Sequence, residues 1–97
     1  MEEYLERITG WFVRGTLAQF QIAVEHHLAG DGYTVERDGD ALLFYRTHKE
    51  GGFLGIGKKT VKEPVMKITR GEDGVQIAPE PLDREFAQYL ANYLAQH

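Results

Sequence analysis

At 97 residues the chain is long enough for one two-layer core and no second one. With 42% hydrophobic, 27% charged and 11% aromatic residues, and a formal net charge of -4, it has the make-up of a folded domain, not of a disordered tail. It contains neither Cys nor Ser, which excludes disulfides, thiolate metal sites and serine or cysteine nucleophiles.

Leu5 and Ile8 mark one side of a short leading helix over residues 2–9, which Gly10 is expected to stop, with Trp11 and Phe12 anchoring this leading segment. Val13, Leu17, Phe20, Val24 and Leu28 then recur at steps of four, three, four and four, the stripe of an amphipathic helix. Thr16 and Gln19 have capping-box spacing, and Gly30 stands where a left-handed terminator belongs, so this helix is drawn over 16–29. After Gly32 the period changes to two. Tyr33 to Arg37, the Asp38-Gly39 turn and Ala41 to Tyr45 read as a hairpin.

A third strand is expected over 60–70, with Pro64 at an edge, a bulge or the strand start because it has no N–H to give a ladder. Gly71 to Gly74 reverses the chain into Val75 to Ala78. Pro79 and Pro81 are expected to end the sheet, Pro81 sitting in the first turn of a helix over 82–96. The predicted fold class is α+β: a two-layer sandwich in which a four-stranded antiparallel meander carries N-terminal and C-terminal helices on one face, in a single domain over 1–97.

On this pattern Leu42, Phe44, Met66, Ile68, Val75 and Ile77 face the helices. Leu43, Tyr45 and Val65 point to the opposite face, where they suggest a dimer interface, a ligand groove or a surface covered by the leading helix.

Charge is unevenly spread. Between Arg46 and Arg70 lie seven basic and two acidic side chains, net +5, against four basic and thirteen acidic elsewhere, net -9. Such a division makes a lobe that attracts anions. Within it, Lys49-Glu50-Gly51-Gly52-Phe53-Leu54-Gly55-Ile56-Gly57-Lys58-Lys59 interleaves four glycines with three large apolar residues. Glycines permit close backbone approach and can expose amide donors, while a long turn whose Phe53, Leu54 and Ile56 tuck onto the sheet is the plain structural alternative. Gly52 to Lys59 comes one residue short of a phosphate-binding P-loop, since Lys59 replaces the magnesium-binding Ser or Thr and a strand follows where a helix is required. Gly55-Ile56-Gly57 likewise lacks the third glycine and the βαβ unit of a dinucleotide site.

The segment Gly52-Phe53-Leu54-Gly55-Ile56-Gly57-Lys58-Lys59 resembles the G-F-L-G-x-G-x-K stretch in the N-terminal domain of bacterial Jag-type proteins. The resemblance implies a cytoplasmic adaptor near RNA or the membrane protein-insertion machinery, and it carries no catalytic residues. To that pattern this chain adds a strand at Tyr33 to Arg37 and a hairpin and helix after Arg70.

His26 and His27 are adjacent on a helix and so project about 100° apart, which does not make a metal pair, and Asp31, Asp38 and Asp40 are spaced as turn formers. Tyr89 and Tyr93, one turn apart, have the spacing for base stacking and equally for core packing. No metal and no cofactor is expected. Nor is a membrane-spanning segment: no apolar run approaches the ~18 residues that one needs, and the acidic Met1-Glu2-Glu3-Tyr4 is unlike an export signal, so a cytoplasmic location is expected.

The leading functional expectation is a noncatalytic module in which Lys49, Gly52, Phe53, Leu54, Gly55, Ile56, Gly57, Lys58, Lys59 and Lys62 engage an anionic partner: nucleic acid, an acidic protein surface or, as a peripheral membrane contact, lipid headgroups. The alternatives are a homodimer or interaction subunit pairing through Leu43, Tyr45 and Val65, and a small phosphate-ligand protein or enzyme built on the glycine segment.

Overall fold

Along the chain the elements are α1 (Glu2–Phe12), α2 (Leu17–Gly30), β1 (Tyr33–Asp38), β2 (Ala41–Glu50), β3 (Lys59–Gly71), β4 (Gly74–Leu82) and α3 (Arg84–Ala95). The computed structural model describes residues 1–12, 17–50, 59–72 and 74–96, the side chains of 17, 23, 24, 49, 50, 59 and 60 excepted. The four strands form one antiparallel sheet in the order β1-β2-β3-β4, an α+β arrangement with helices before and after the meander. No described helix is long and apolar enough to cross a membrane.

Helix α1 runs through Gly10 instead of stopping before it. Ile8 and Phe12, four residues apart, are both fully buried. Burying such side chains is worth about 1.5–3 kcal/mol each, which outweighs the ~0.5–1 kcal/mol that a helical glycine costs. A Cβ built at Gly10 meets nothing within 4 Å. Gly10→Ala is therefore expected to raise stability by about 0.5–1 kcal/mol in a thermal melt; a lower melting temperature would contradict a continuous α1.

The left-handed residue after α2 is Gly32, at φ 86, and not Gly30, which completes the helix. Asp31 and Gly32 donate their N–H groups to the carbonyls of Leu28 and Ala29, and the Gly32 carbonyl accepts from both the backbone N–H (2.8 Å) and the hydroxyl (3.0 Å) of Thr47. The end of α2 is thereby fixed to the middle of β2. Gly39, at φ 59, makes the expected tight turn between β1 and β2.

Leu42, Phe44, Met66 and Ile68 turn one sheet face toward Ile8, Phe12, Phe20, Leu28, Phe86 and Leu90 of the helices in a single cluster, with Val75 and Ile77 partly buried at its margin. A line of rings runs through it: Phe12 to Phe20 at 4.6 Å, Phe20 to Phe44 at 5.9 Å and Phe44 to Phe86 at 5.2 Å. All three helices thus lie on the same side of the sheet, α1 included, so α1 does not cover the opposite face.

Two irregularities move residues from their expected places. Phe44 pairs with Met66 but Tyr45 with Pro64, so Val65 is an extra residue at a bulge. Pro64 supplies no ladder donor and stands beside the bulge, one of the three placements expected for it. On the other edge, β4 continues past Pro79 and a cis Glu80–Pro81 bond to bring Leu82 opposite Met66. Pro81 is therefore in a strand and not in the first turn of α3. An edge strand tolerates prolines because only one of its sides needs to pair.

Candidate binding surface

Pairing with β1 ends at Tyr33 opposite Arg46, and pairing with β4 ends at Leu82 opposite Met66. Beyond those limits β2 and β3 continue as a pair by themselves through Thr47 and Lys62, His48 and Val61, Lys49 and Thr60, and Glu50 and Lys59. Four rungs at strand rise make a ribbon about 13 Å long. The radius of gyration, 14.4 Å, exceeds the roughly 12.5 Å of a compact chain of this length, in keeping with such a projection. The Thr47 bonds to Gly32 hold its base.

The backbone places Lys49 and Lys59 near the end of the ribbon and Lys62 at its base. Gly52, Phe53, Leu54, Gly55, Ile56, Gly57 and Lys58 lie outside the described residues.

The described cations of the 46–70 stretch do not share one lobe. Arg46 lies on the helix side, where its guanidinium donates to Asp83 at 3.0 Å, stands 3.6 Å from Glu63 and 4.0 Å from Glu85, and lies 5.8 Å from the Tyr33 ring centre. The hydrogen bond to Asp83 is the main cause of its raised pKa. Arg70, also on that side, donates to the Phe12 carbonyl at 2.8 Å. Lys62 and Lys67 are on the opposite face. Lys62 reaches Glu36 at 2.5 Å, passing 5.7 Å from the centre of the Tyr45 ring, and the Glu36 hydrogen bond raises its pKa. Two of the cations expected to attract a partner are thus matched by the protein's own carboxylates. A sequence charge count cannot see this, because Glu36 and Asp83 lie far from their partners along the chain.

Asp83 sits at the N-cap of α3 and accepts from the Phe86 N–H at 2.9 Å. That bond first, and the Arg46 pair second, hold its carboxyl below the usual range against the opposing effect of burial.

Leu43 and Tyr45 are partly buried on the face away from the helices. Val65 is not part of that face: it is 1% exposed and belongs to the core. The bulge breaks the alternation that assigns it outward.

Near the end of α2, His27 stacks on Tyr93 at 4.3 Å and its Nε2 lies 3.4 Å from an Asp31 carboxylate oxygen that accepts the Tyr89 hydroxyl at 2.7 Å. Burial first, then the Asp31 bond, raises the Tyr89 pKa. Tyr89 and Tyr93 are therefore engaged in joining α3 to α2. Sequence reasoning misses Asp31 as their link, since its place after a helix end reads only as a turn. Among the described residues no three His, Cys, Asp or Glu side chains converge as a metal site requires.

No protein-family model, no curated protein and no solved structure matches this chain.

Proposed function

We propose that the protein is a noncatalytic binding module that presents the end of the β2–β3 ribbon to an anionic partner. The observation that carries this reading is the continuation of β2 and β3 as a pair past both flanking strands, which brings Lys49 and Lys59 away from the acidic body. Lys58 and the glycines adjoin them in sequence. Carboxylates already occupy Lys62 and Arg46, which therefore add stiffness to the base more than charge to the contact. Nucleic acid, an acidic protein surface and lipid headgroups offer the same chemistry.

The test is a titration of isotope-labelled protein with single-stranded RNA, with vesicles containing anionic lipid and with an acidic peptide. One of them is expected to shift resonances at positions 49 to 62 and to lose affinity as salt is added. Lys58→Glu with Lys59→Glu is expected to weaken that binding at least about tenfold, on the basis of roughly 1 kcal/mol for each charge near an anionic surface. Unchanged binding by the double variant would remove the proposal.

A further inference from the structure

The sheet face away from the helices is left open by every described element, and its residues are arranged in lines of unequal charge. Cross-strand register puts Glu36, Leu43 and Lys67 in one line across β1, β2 and β3, and Thr34, Tyr45 and Pro64 in the next line on that face. The β1 side carries Glu36 and Asp38, the β3 side carries Lys67, and β2 between them carries Leu43 and Tyr45, over which Lys62 of β3 reaches to Glu36. We infer that this face is the interface of a two-fold homodimer in which the Glu36, Leu43, Lys67 line of one copy lies against the same line of the second.

The argument is one of symmetry. A two-fold axis parallel to β2, lying between two such faces, exchanges left and right, so that the β1 side of each copy meets the β3 side of the other. Glu36 then faces Lys67 of the second copy twice over, and Leu43 meets Leu43 on the axis. A surface that is acidic on one side, apolar in the middle and basic on the other is complementary to itself under that operation. It is a poor fit for nucleic acid, which the Glu36 and Asp38 side repels. It is also a poor fit for a purely acidic partner, which would meet the same carboxylates. The Lys62 pair with Glu36 is compatible with the assembly, because a carboxylate has room for more than one donor.

A contact made by one face of three short strands belongs at the small end of specific interfaces, below about 1,200 Å² in total, so association is expected in the micromolar range. This inference does not depend on the ribbon reading, since no residue of the ribbon end enters it.

Sedimentation equilibrium of the full chain from about 10 to 500 μM is expected to show a monomer–dimer equilibrium. Glu36→Lys and Lys67→Glu, each alone, bring like charges together and are expected to weaken association at least about tenfold, and Leu43→Lys to abolish it. Combining the two reversals, in a Lys62→Gln background so that no like charge stands beside position 36, is expected to restore it. Far-UV circular dichroism and thermal melts check that each variant is folded. A wild-type protein that stays monomeric over the whole range overturns the inference. So does a dimer that neither single reversal weakens.

Discussion

Phe44→Ala is expected to lower the unfolding free energy by about 3–5 kcal/mol, the usual cost of deleting a large aromatic side chain from a core that cannot fully collapse. Phe44 is fully buried and stands between Phe20 of α2 and Phe86 of α3, with ring centres at 5.9 and 5.2 Å. Its loss opens a space bordered by the sheet, α2 and α3. For a domain of this size total stability is on the order of 5–15 kcal/mol, and each kcal/mol moves the melting temperature by roughly 4–8 °C. A fall of at least about 12 °C is therefore expected, with Phe44→Leu losing much less because it retains most of the volume. A shift of only a few degrees for the alanine variant would mean that the helices do not pack through this ring.

Asp83→Ala is expected to cost about 2–3 kcal/mol, combining a lost helix cap with the loss of a charged partner for Arg46. Four hydrogen bonds meet at this residue: its carboxylate accepts from Phe86 N–H and Arg46, its own N–H donates to the Val65 carbonyl at 2.8 Å, and its carbonyl accepts from Ala87 N–H at 3.0 Å. Only the two backbone bonds survive truncation. Glu63 and Glu85 remain near Arg46, but at 3.6 and 4.0 Å they are poor replacements, and Glu85 is 85% exposed. Asp83→Asn keeps an oxygen for the cap and is expected to lose about 1 kcal/mol.

The same carboxyl predicts an acid dependence. Its folded-state pKa lies below the ordinary 3.8, so as pH falls the unfolded chain takes up the proton first. The stability it contributes is present in full well above 3.8 and is lost as pH drops through the folded value. Urea midpoints at neutral pH and near pH ~3 should show the deficit of the alanine variant shrinking in acid. An equal deficit at both would assign the whole effect to packing.

Much of the architecture was legible because local signals agreed with the global arrangement. Asp38-Gly39 marks its turn without help from the rest of the chain, and the alternation of Leu42, Phe44, Met66 and Ile68 survives in the buried face. Departures occur where a tertiary contact overrides a local rule. Gly10 stays helical because Phe12 is drawn into the core, and α2 runs through Gly30, with its left-handed residue at Gly32, whose carbonyl meets Thr47. Val65 departs because the extra residue at the bulge interrupts the period-two alternation at that one point, leaving Met66 and Ile68 in their expected places. For the candidate site, the lysines and glycines could be read from sequence, but which cations keep their charge available could not. That depends on partners such as Glu36 and Asp83, brought near only by the fold.

Open sheets carry a hazard that this one limits at both borders. Strand β4 contains Pro79 and Pro81, two residues with no amide hydrogen to offer an incoming chain, so stacking of molecules edge on edge finds no regular template there. The β1 border presents Glu36, Arg37 and Asp38, charged side chains that discourage fibril growth from the opposite direction. Crowding such molecules together should therefore favour discrete, closed assemblies over runaway polymerisation.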